Sequence, residues 1–180
     1  MKRCHWCASN NPLYIKYHDE EWGILNLDDT HLYEMLLLES FQAGLSWECV
    51  LNKRDNFRNA FSNFNVYKIA KYDDEDIKRL MNDKGIIRNC LKIKATINNA
   101  KIFISIMQEY EAFASYLKTF WDEKVIIETN KVSNQLSDKI SKDLIKRGMK
   151  FVGTTIIYAY LQAIGIINGH EKECDKYIGE

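Results

Sequence analysis

Proline occurs once, at Pro12, and glycine only eight times in 180 residues, so little interrupts long helices. No run of 18 or more apolar residues is present, which excludes a membrane-spanning helix. The start, Met1-Lys2-Arg3-Cys4-His5-Trp6, is basic but lacks the apolar stretch of a signal peptide. The expectation is a cytoplasmic protein, where disulfides are disfavoured. Its five cysteines are then free thiols or metal ligands. Net charge is missing too: 25 Lys and Arg stand against 25 Asp and Glu, which excludes a global attraction to a polyanion. Neither tandem repeats nor low-complexity tracts occur.

The distribution of charge says more than its sum. Between Lys84 and Lys101 lie five cations and no acid, and between Ser137 and Lys150 five cations against Asp138 and Asp143. Such clusters are either solvated helix faces or the footprint of a local anionic partner. At this length one domain over residues 1–180 is expected, built as two helical lobes sharing a core and acting as a monomer.

Apolar residues at three-to-four spacing predict an all-α fold. The first 30 residues read as irregular and rich in aromatics; Asp28-Asp29-Thr30 then offers N-caps for a helix over 31–43, ended by Gly44. Further helices are predicted over 47–61, from a cap at Asp73 or Asp74 to Asn82, and over 88–110, 112–121, 137–147 and 154–167. Residues 125–127 read as a short strand or an extended loop.

Stepped at about 100° per residue, the helix over 31–43 groups Leu32, Leu36 and Ala43 within about 40°. Glu39 falls about 20° from Leu32, on this apolar stripe, whereas Glu34 lies on the far side, where a solvated glutamate belongs. Burying an unpaired carboxylate is costly. Either the helix is apolar all round with Glu39 exposed near its end, or Glu39 lines a pocket to which Trp47 adds an aromatic wall. Trp6, Tyr14, Tyr17 and Trp22 cluster shortly before it. A carboxylate beside aromatic rings suits a flat, cationic or amino-bearing ligand, although each tryptophan alone is equally consistent with core packing.

Cys4 and His18 near one end, with His170 and Cys174 near the other, compose a tetrahedral zinc set. His170 and Cys174 have i, i+4 spacing, which can aim both at one ion. Cys7, in Cys4-x-x-Cys7, is a rival ligand. With four protein donors such a zinc is structural and pins the two terminal segments together. Lys84-Gly85-Ile86-Ile87-Arg88, between two helices, is a candidate helix-hairpin-helix element. Gly85 permits the turn, free amides at the start of the next helix suit a phosphate, and the surrounding cations fit a DNA backbone.

Three separated stretches resemble the bacterial DNA-3-methyladenine glycosylase I family. They are Tyr17-His18-Asp19-x-Glu21-Trp22-Gly23, then Leu38-Glu39-x-x-Gln42-Ala43-Gly44-Leu45-Ser46-Trp47, then Lys146-Arg147-Gly148-x-Lys150-Phe151-Val152-Gly153-Thr154-Thr155. The resemblance spans nearly the whole chain. It implies the helix-hairpin-helix DNA glycosylase fold and a structural zinc on Cys4, His18, His170 and Cys174, which demotes Cys7. It also implies hydrolysis of the N-glycosidic bond of 3-methyladenine flipped out of double-stranded DNA. Glu39 and Tyr17 match the polar groups that read the base, with Glu39 ionised to favour a cationic ring. Trp47 matches the stacking platform, with Trp6 and Trp22 nearby, and Gln42 and Leu45 match contacts to DNA around the flipped site. Lys84, Gly85 and Arg88 are assigned to the DNA backbone.

Relatives that also nick DNA carry a lysine amine just after the hairpin; Asn89 stands here, which implies a monofunctional enzyme with water as nucleophile. Lys92 and Lys94 then read as phosphate contacts or solvated charges. Three features depart from the family pattern: the hairpin lacks a double glycine, Phe41 stands where something smaller or polar is expected, and 122–136 is short. Two other readings compete. One is a glycosylase for another alkylated base; the other is a zinc-stabilised DNA-binding module without catalysis, the outcome if Glu39 and Tyr17 share no pocket.

Overall fold

Pro12 starts a helix inside the segment that its aromatics mark as irregular. Asn11 accepts a hydrogen bond from the Leu13 N–H at 3.1 Å, Pro12 has no N–H to satisfy, and α1 (Pro12–Glu20) follows. The computed structural model describes residues 1–8 and 10–179. Among them the chain continues through α2 (Asp29–Gln42), α3 (Trp47–Leu51), α4 (Arg54–Ala60), α5 (Val66–Ile69) and α6 (Asp74–Asn82). The remaining helices are α7 (Cys90–Tyr110), α8 (Phe113–Lys118), α9 (Gln135–Lys146) and α10 (Thr154–Ala163).

Caps explain the boundaries. Asp28 accepts from the N–H groups of Thr30 and His31 to open α2. The helix predicted over 47–61 is two helices. Ser46 caps α3 through the Cys49 N–H at 3.2 Å, and the chain turns at Asn52 and Lys53 before α4. α7 begins at Cys90 rather than residue 88, because Asn89 caps it by accepting from the Lys92 N–H.

The fold is mostly, not wholly, helical. Residues 125–127 contribute a strand, β1 (Ile126–Ile127), which pairs in parallel with β2 (Ile167–Asn168) in the register Ile126 to Ile167. α10 therefore ends short of residue 167; Gly165, at φ +78°, turns the chain into β2. This small sheet delivers His170 and Cys174 to the N-terminal segment, where the Asp175 N–H donates to the Lys2 carbonyl at 3.0 Å.

α2 runs through the core, with Leu32, Met35, Leu36, Leu38 and Phe41 buried. Phe41 packs on Phe57 and Phe61, centroids 4.8 and 6.1 Å away, so the large ring in the Leu38–Trp47 motif fills core against α4. Glu34 is not solvated as its helix face suggested. α4 covers that face, and Arg54 Nε and Arg58 Nη2 donate to Glu34 Oε1 at 2.7 and 2.9 Å. Arg54 also grips Glu21 with two bonds of 2.7 and 2.8 Å, tying the end of α1 to α2 and α4.

The turn between α6 and α7 leaves Lys84 and Arg88 exposed. Gly85 serves it by close approach rather than by an unusual φ: a Cβ there would meet the side chains of Asn56 and Asp83 at 3.0 Å.

Candidate active site and metal-binding cluster

α1, α2, α3 and α10 converge on one cavity of about 190 Å³. Five aromatic residues wall it: Trp6, Tyr14, Tyr17, Trp22 and Trp47. Glu39 and Gln42 enter from α2, and Ala159 and Gln162 from α10. Trp6 meets Tyr14 and Trp22 edge to face at 5.0 and 4.8 Å, and Tyr17 leans on Trp47 at 5.2 Å. Edge-to-face packing fixes each ring by its neighbour, so the cavity keeps its shape when empty.

Glu39 is 3% exposed, and its Oε2 has no hydrogen-bond partner; the same is true of the Trp47 Nε1. Both residues line the cavity, and among the described residues nothing satisfies these two atoms. Such groups are expensive unless a ligand completes them. Burial pushes the Glu39 carboxyl up to about 8, so the empty cavity holds it protonated at neutral pH. The ionised Glu39 that the resemblance implies is the state facing a cationic ring, whose charge opposes this shift. Burial also raises the Tyr17 phenol well above its ordinary value, with the nearby Glu39 and Glu21 carboxylates adding to the effect. Tyr17 and Glu39 therefore share the pocket.

A larger hollow, about 430 Å³, also touches Tyr17, but it is lined by Lys16, Glu20, Glu21, Arg54, Asp55 and Arg58. Those charges pair with one another. It has neither the flat walls nor the unsatisfied groups of the aromatic cavity.

Lys92 departs most from expectation. It is 7% exposed, and its Nζ donates to the Phe41 and Ala43 carbonyl oxygens at 2.8 and 2.6 Å. The ammonium caps the C-terminus of α2, where free carbonyls favour a cation, and is neither a phosphate contact nor solvated. Beyond this cap Gly44 turns at φ +79°, and Leu45, 43% exposed, is not among the residues that line the cavity. Lys84, Gly85 and Arg88 likewise lie outside the cavity lining.

Cys4, His18, His170 and Cys174 form a second, buried cluster, their donor atoms all within 4.8 Å of one another. The imidazoles are oriented from behind. His18 Nδ1 lies 2.8 Å from Asp19 Oδ1, and His170 Nδ1 lies 3.1 Å from Asn168 Oδ1, which turns both Nε2 atoms inward. Arg3 donates to both Asp19 oxygens and, ahead of His18, holds that carboxyl down to about 2. His170 Nε2 is buried without a partner. Two thiols and two imidazoles with carboxylate and amide groups behind them fit a tetrahedral metal ion. Cys7 is outside the cluster; its sulfur faces the Tyr14 carbonyl. Trp22 joins the two sites, packed on His170 at 4.6 Å and on Trp6 in the cavity wall.

Ala159 and Gln162 are cavity residues that the sequence did not disclose. They lie three apart on a helix whose other neighbours are almost all apolar, so periodicity alone does not single them out.

A helical scaffold with an aromatic cavity, a buried carboxyl and a cluster joining the terminal segments has the walls and polar group that suit a flat, amino-bearing ring. Residues 6–177 match the family described as methyladenine glycosylase. The chain is 44% identical over 185 residues to DNA-3-methyladenine glycosylase 1 of Escherichia coli K12, covering 99% of this chain and 98% of that protein. A crystal structure of 3-methyladenine DNA glycosylase I superposes with a TM-score of 0.93 at 43% identity, over 98% of this chain and 100% of the other. A second structure, from work on 3-methyladenine recognition by 3-methyladenine DNA glycosylase I of Staphylococcus aureus, gives 0.93 at 31% identity, over 100% and 98%. The chain belongs to the methyladenine glycosylase family.

Proposed function

We propose that the protein removes 3-methyladenine from double-stranded DNA by flipping the nucleotide into the aromatic cavity and hydrolysing its N-glycosidic bond. The observation that carries this is the buried Glu39 carboxyl oxygen, without a partner among the described residues, in a residue that lines a cavity walled by flat rings. Family membership supports the same substrate.

Methylation at N3 leaves adenine cationic, so the leaving group is already activated. The C1′–N9 electron pair moves onto the base, which departs neutral; water adds to C1′ and loses a proton to solvent. Trp47 stacks on the extruded ring. Glu39 and Tyr17 bind its polar edge, and the positive charge draws the proton off Glu39 so that a carboxylate faces a cation. Trp6 and Trp22 hold the cavity shut behind the ring. Flipping costs least for a damaged, poorly paired base, which adds to selectivity.

Gln42 and the exposed Leu45, beyond the capped end of α2, contact DNA around the vacated position, with Leu45 as an apolar wedge. α6, its turn and α7 act as a helix-hairpin-helix element, with Lys84, Gly85 and Arg88 against phosphates. The four-residue cluster holds a structural zinc, which supplies folding energy and takes no part in bond cleavage. Monomeric action in the cytoplasm completes the reading; the residues that line the aromatic cavity all come from one chain.

Mass spectrometry of bases released from methylated DNA tests it. 3-Methyladenine should be released by the wild type. A Trp47→Ala, Glu39→Gln double variant that released it at the same rate would sink the assignment of the cavity.

A further inference from the structure

We infer that Lys94, Lys101, Lys146 and Lys150 form one cationic patch that grips the phosphate backbone of the duplex flank, beyond the hairpin; the inference rests on the DNA-binding role proposed for that hairpin. The two basic runs of the sequence lie far apart along the chain, and only the first was assigned a partner, through Lys84 and Arg88. The fold brings the runs together.

The join is made by three hydrogen bonds between α7 and the loop after α9. Asn98 Nδ2 donates to the Gly148 carbonyl oxygen at 2.9 Å. Asn99 Nδ2 donates to the Lys150 carbonyl oxygen at 2.8 Å, and Asn99 Oδ1 accepts from the Lys150 N–H at 2.9 Å. Gly148, at φ +96°, also lies over Ile102. Lys94, Asn98 and Lys101 have i, i+4, i+7 spacing and form one exposed stripe of α7. Lys94 and Lys101 therefore stand on either side of the docked loop, about 10 Å apart along the helix. Lys146, two residues before Gly148, and Lys150, two after it, are exposed as well. Lys94 is turned about 200° from Lys92, so the patch faces away from the end of α2 and lies outside the aromatic cavity.

The four charges are unmatched. Among the described residues none of these ammonium groups has an ion pair or hydrogen bond. The acids closest to them in sequence are already taken. Asp143 accepts from Arg147 Nε at 2.7 Å and from the Tyr116 hydroxyl at 2.8 Å, and Glu109 accepts from Arg147 Nη1 at 2.6 Å. Arg147, drawn into that network, leaves only lysines on the surface. A chain with no net charge thus keeps a concentrated positive field on one face.

Duplex DNA fits this face best. It carries about one negative charge per 1.7 Å of axis, so the 10 Å spanned by α7 alone meets enough phosphates for all four lysines. Mobile ammonium groups suit such point charges and need no shaped surface, whereas the cores of protein interfaces are depleted of lysine. The patch also begins in the first turn of α7, the helix whose start faces phosphate in the proposed hairpin, so one backbone path joins the two.

The test is the salt dependence of binding to a duplex of about 20 base pairs that carries a central abasic-site analogue, read by fluorescence anisotropy. Neutralising a phosphate contact removes about 0.9 from the slope of log affinity against log salt. A Lys101→Gln, Lys146→Gln, Lys150→Gln triple variant should therefore lower that slope by about 2–3, and each single substitution by about 1. A Lys118→Gln, Lys124→Gln, Lys131→Gln triple variant makes the same change in net charge, at lysines paired with Glu123, Asp122 and Glu128. It should keep the wild-type slope. Melting temperatures identify a variant that fails to fold, and the single substitutions then carry the same comparison. Equal slopes in the two triple variants would overturn the inference, and so would two duplexes bound per wild-type chain, which would make the occupant a second DNA. A wild type that bound the duplex but released no base from methylated DNA would instead reject the glycosylase reading, and the slopes would still decide the patch.

Discussion

The Lys92 ammonium lies 2.6 Å from the Ala43 carbonyl oxygen and donates to it, across 49 residues of sequence. With the second bond, to Phe41, it closes the end of the helix that carries Glu39 and Gln42. Burial lowers its pKa, but the two carbonyls use the charged form. Lys92→Met keeps the stem and strands both acceptors, so stability should fall by about 1–3 kcal/mol in urea unfolding. Lys94→Met, on the exposed face of the same helix, should change it by less than about 0.5 kcal/mol. Equal effects at the two positions would remove Lys92 from this role.

Glu39 gives the protein a pH dependence of predictable sign. Its carboxyl titrates near 4.5 when unfolded and is pushed up to about 8 in the folded cavity. Between those values the folded state holds the extra proton, so this group's contribution to stability falls as pH rises, by about 1.4 kcal/mol per pH unit, and levels off above 8. Glu39→Gln has no such slope. Its stability should gain on wild type steadily from pH 5 to pH 8, while its excision rate stays far below wild type. Thermal unfolding across that range checks it; parallel curves would place Glu39 elsewhere than in a dry cavity.

Ionisation of Glu39 against a cationic base also predicts the activity profile. Wild-type kcat/KM should climb with pH and flatten near pH 8, because below that the proton on Glu39 must leave before the charge pair forms. In Glu39→Gln the climb should vanish. A wild-type profile already flat from pH 5 would show that the carboxyl is ionised before the base arrives.

The buried cluster predicts one zinc per chain by metal analysis. Cys174→Ser should lose the ion and melt earlier, and a chelator should lower the wild-type melting temperature. Cys7→Ser should keep the metal, since that sulfur faces the Tyr14 carbonyl outside the cluster. Metal loss in Cys7→Ser with retention in Cys4→Ser would reverse the ligand assignment.

Among the described residues no lysine lines the aromatic cavity. Lys92 is committed to the α2 carbonyls, and Asn89 has no amine to offer. Borohydride should therefore trap no protein on methylated DNA, and the product strand should stay intact at the abasic site. A trapped adduct lost in Lys94→Ala would bring that lysine into the reaction.

Local signals in the sequence reached far where the physics is local. The Asp28 cap and the Gly44 stop follow from neighbours within a few residues; the apolar stripe put Glu39 on a buried face, but α2 is buried on every side from Leu32 to Phe41, so the stripe alone did not set Glu39 apart from Glu34. The Cys4, His18, His170 and Cys174 set was legible as chemistry, and its choice over Cys7 came from the resemblance rather than from spacing. What lies opposite a helix face was not legible. Glu34 has the spacing of a solvated residue and is buried because Arg54 and Arg58 arrive from α4. Lys92 reads as one cation in a basic run and is a helix cap because α7 packs against the end of α2. Gln162 looks like any polar residue on an apolar helix until α10 turns it towards Trp22 and the cavity. Periodicity states which way a side chain points; only tertiary packing brings the distant partner that decides whether it meets water, a carbonyl or a ligand.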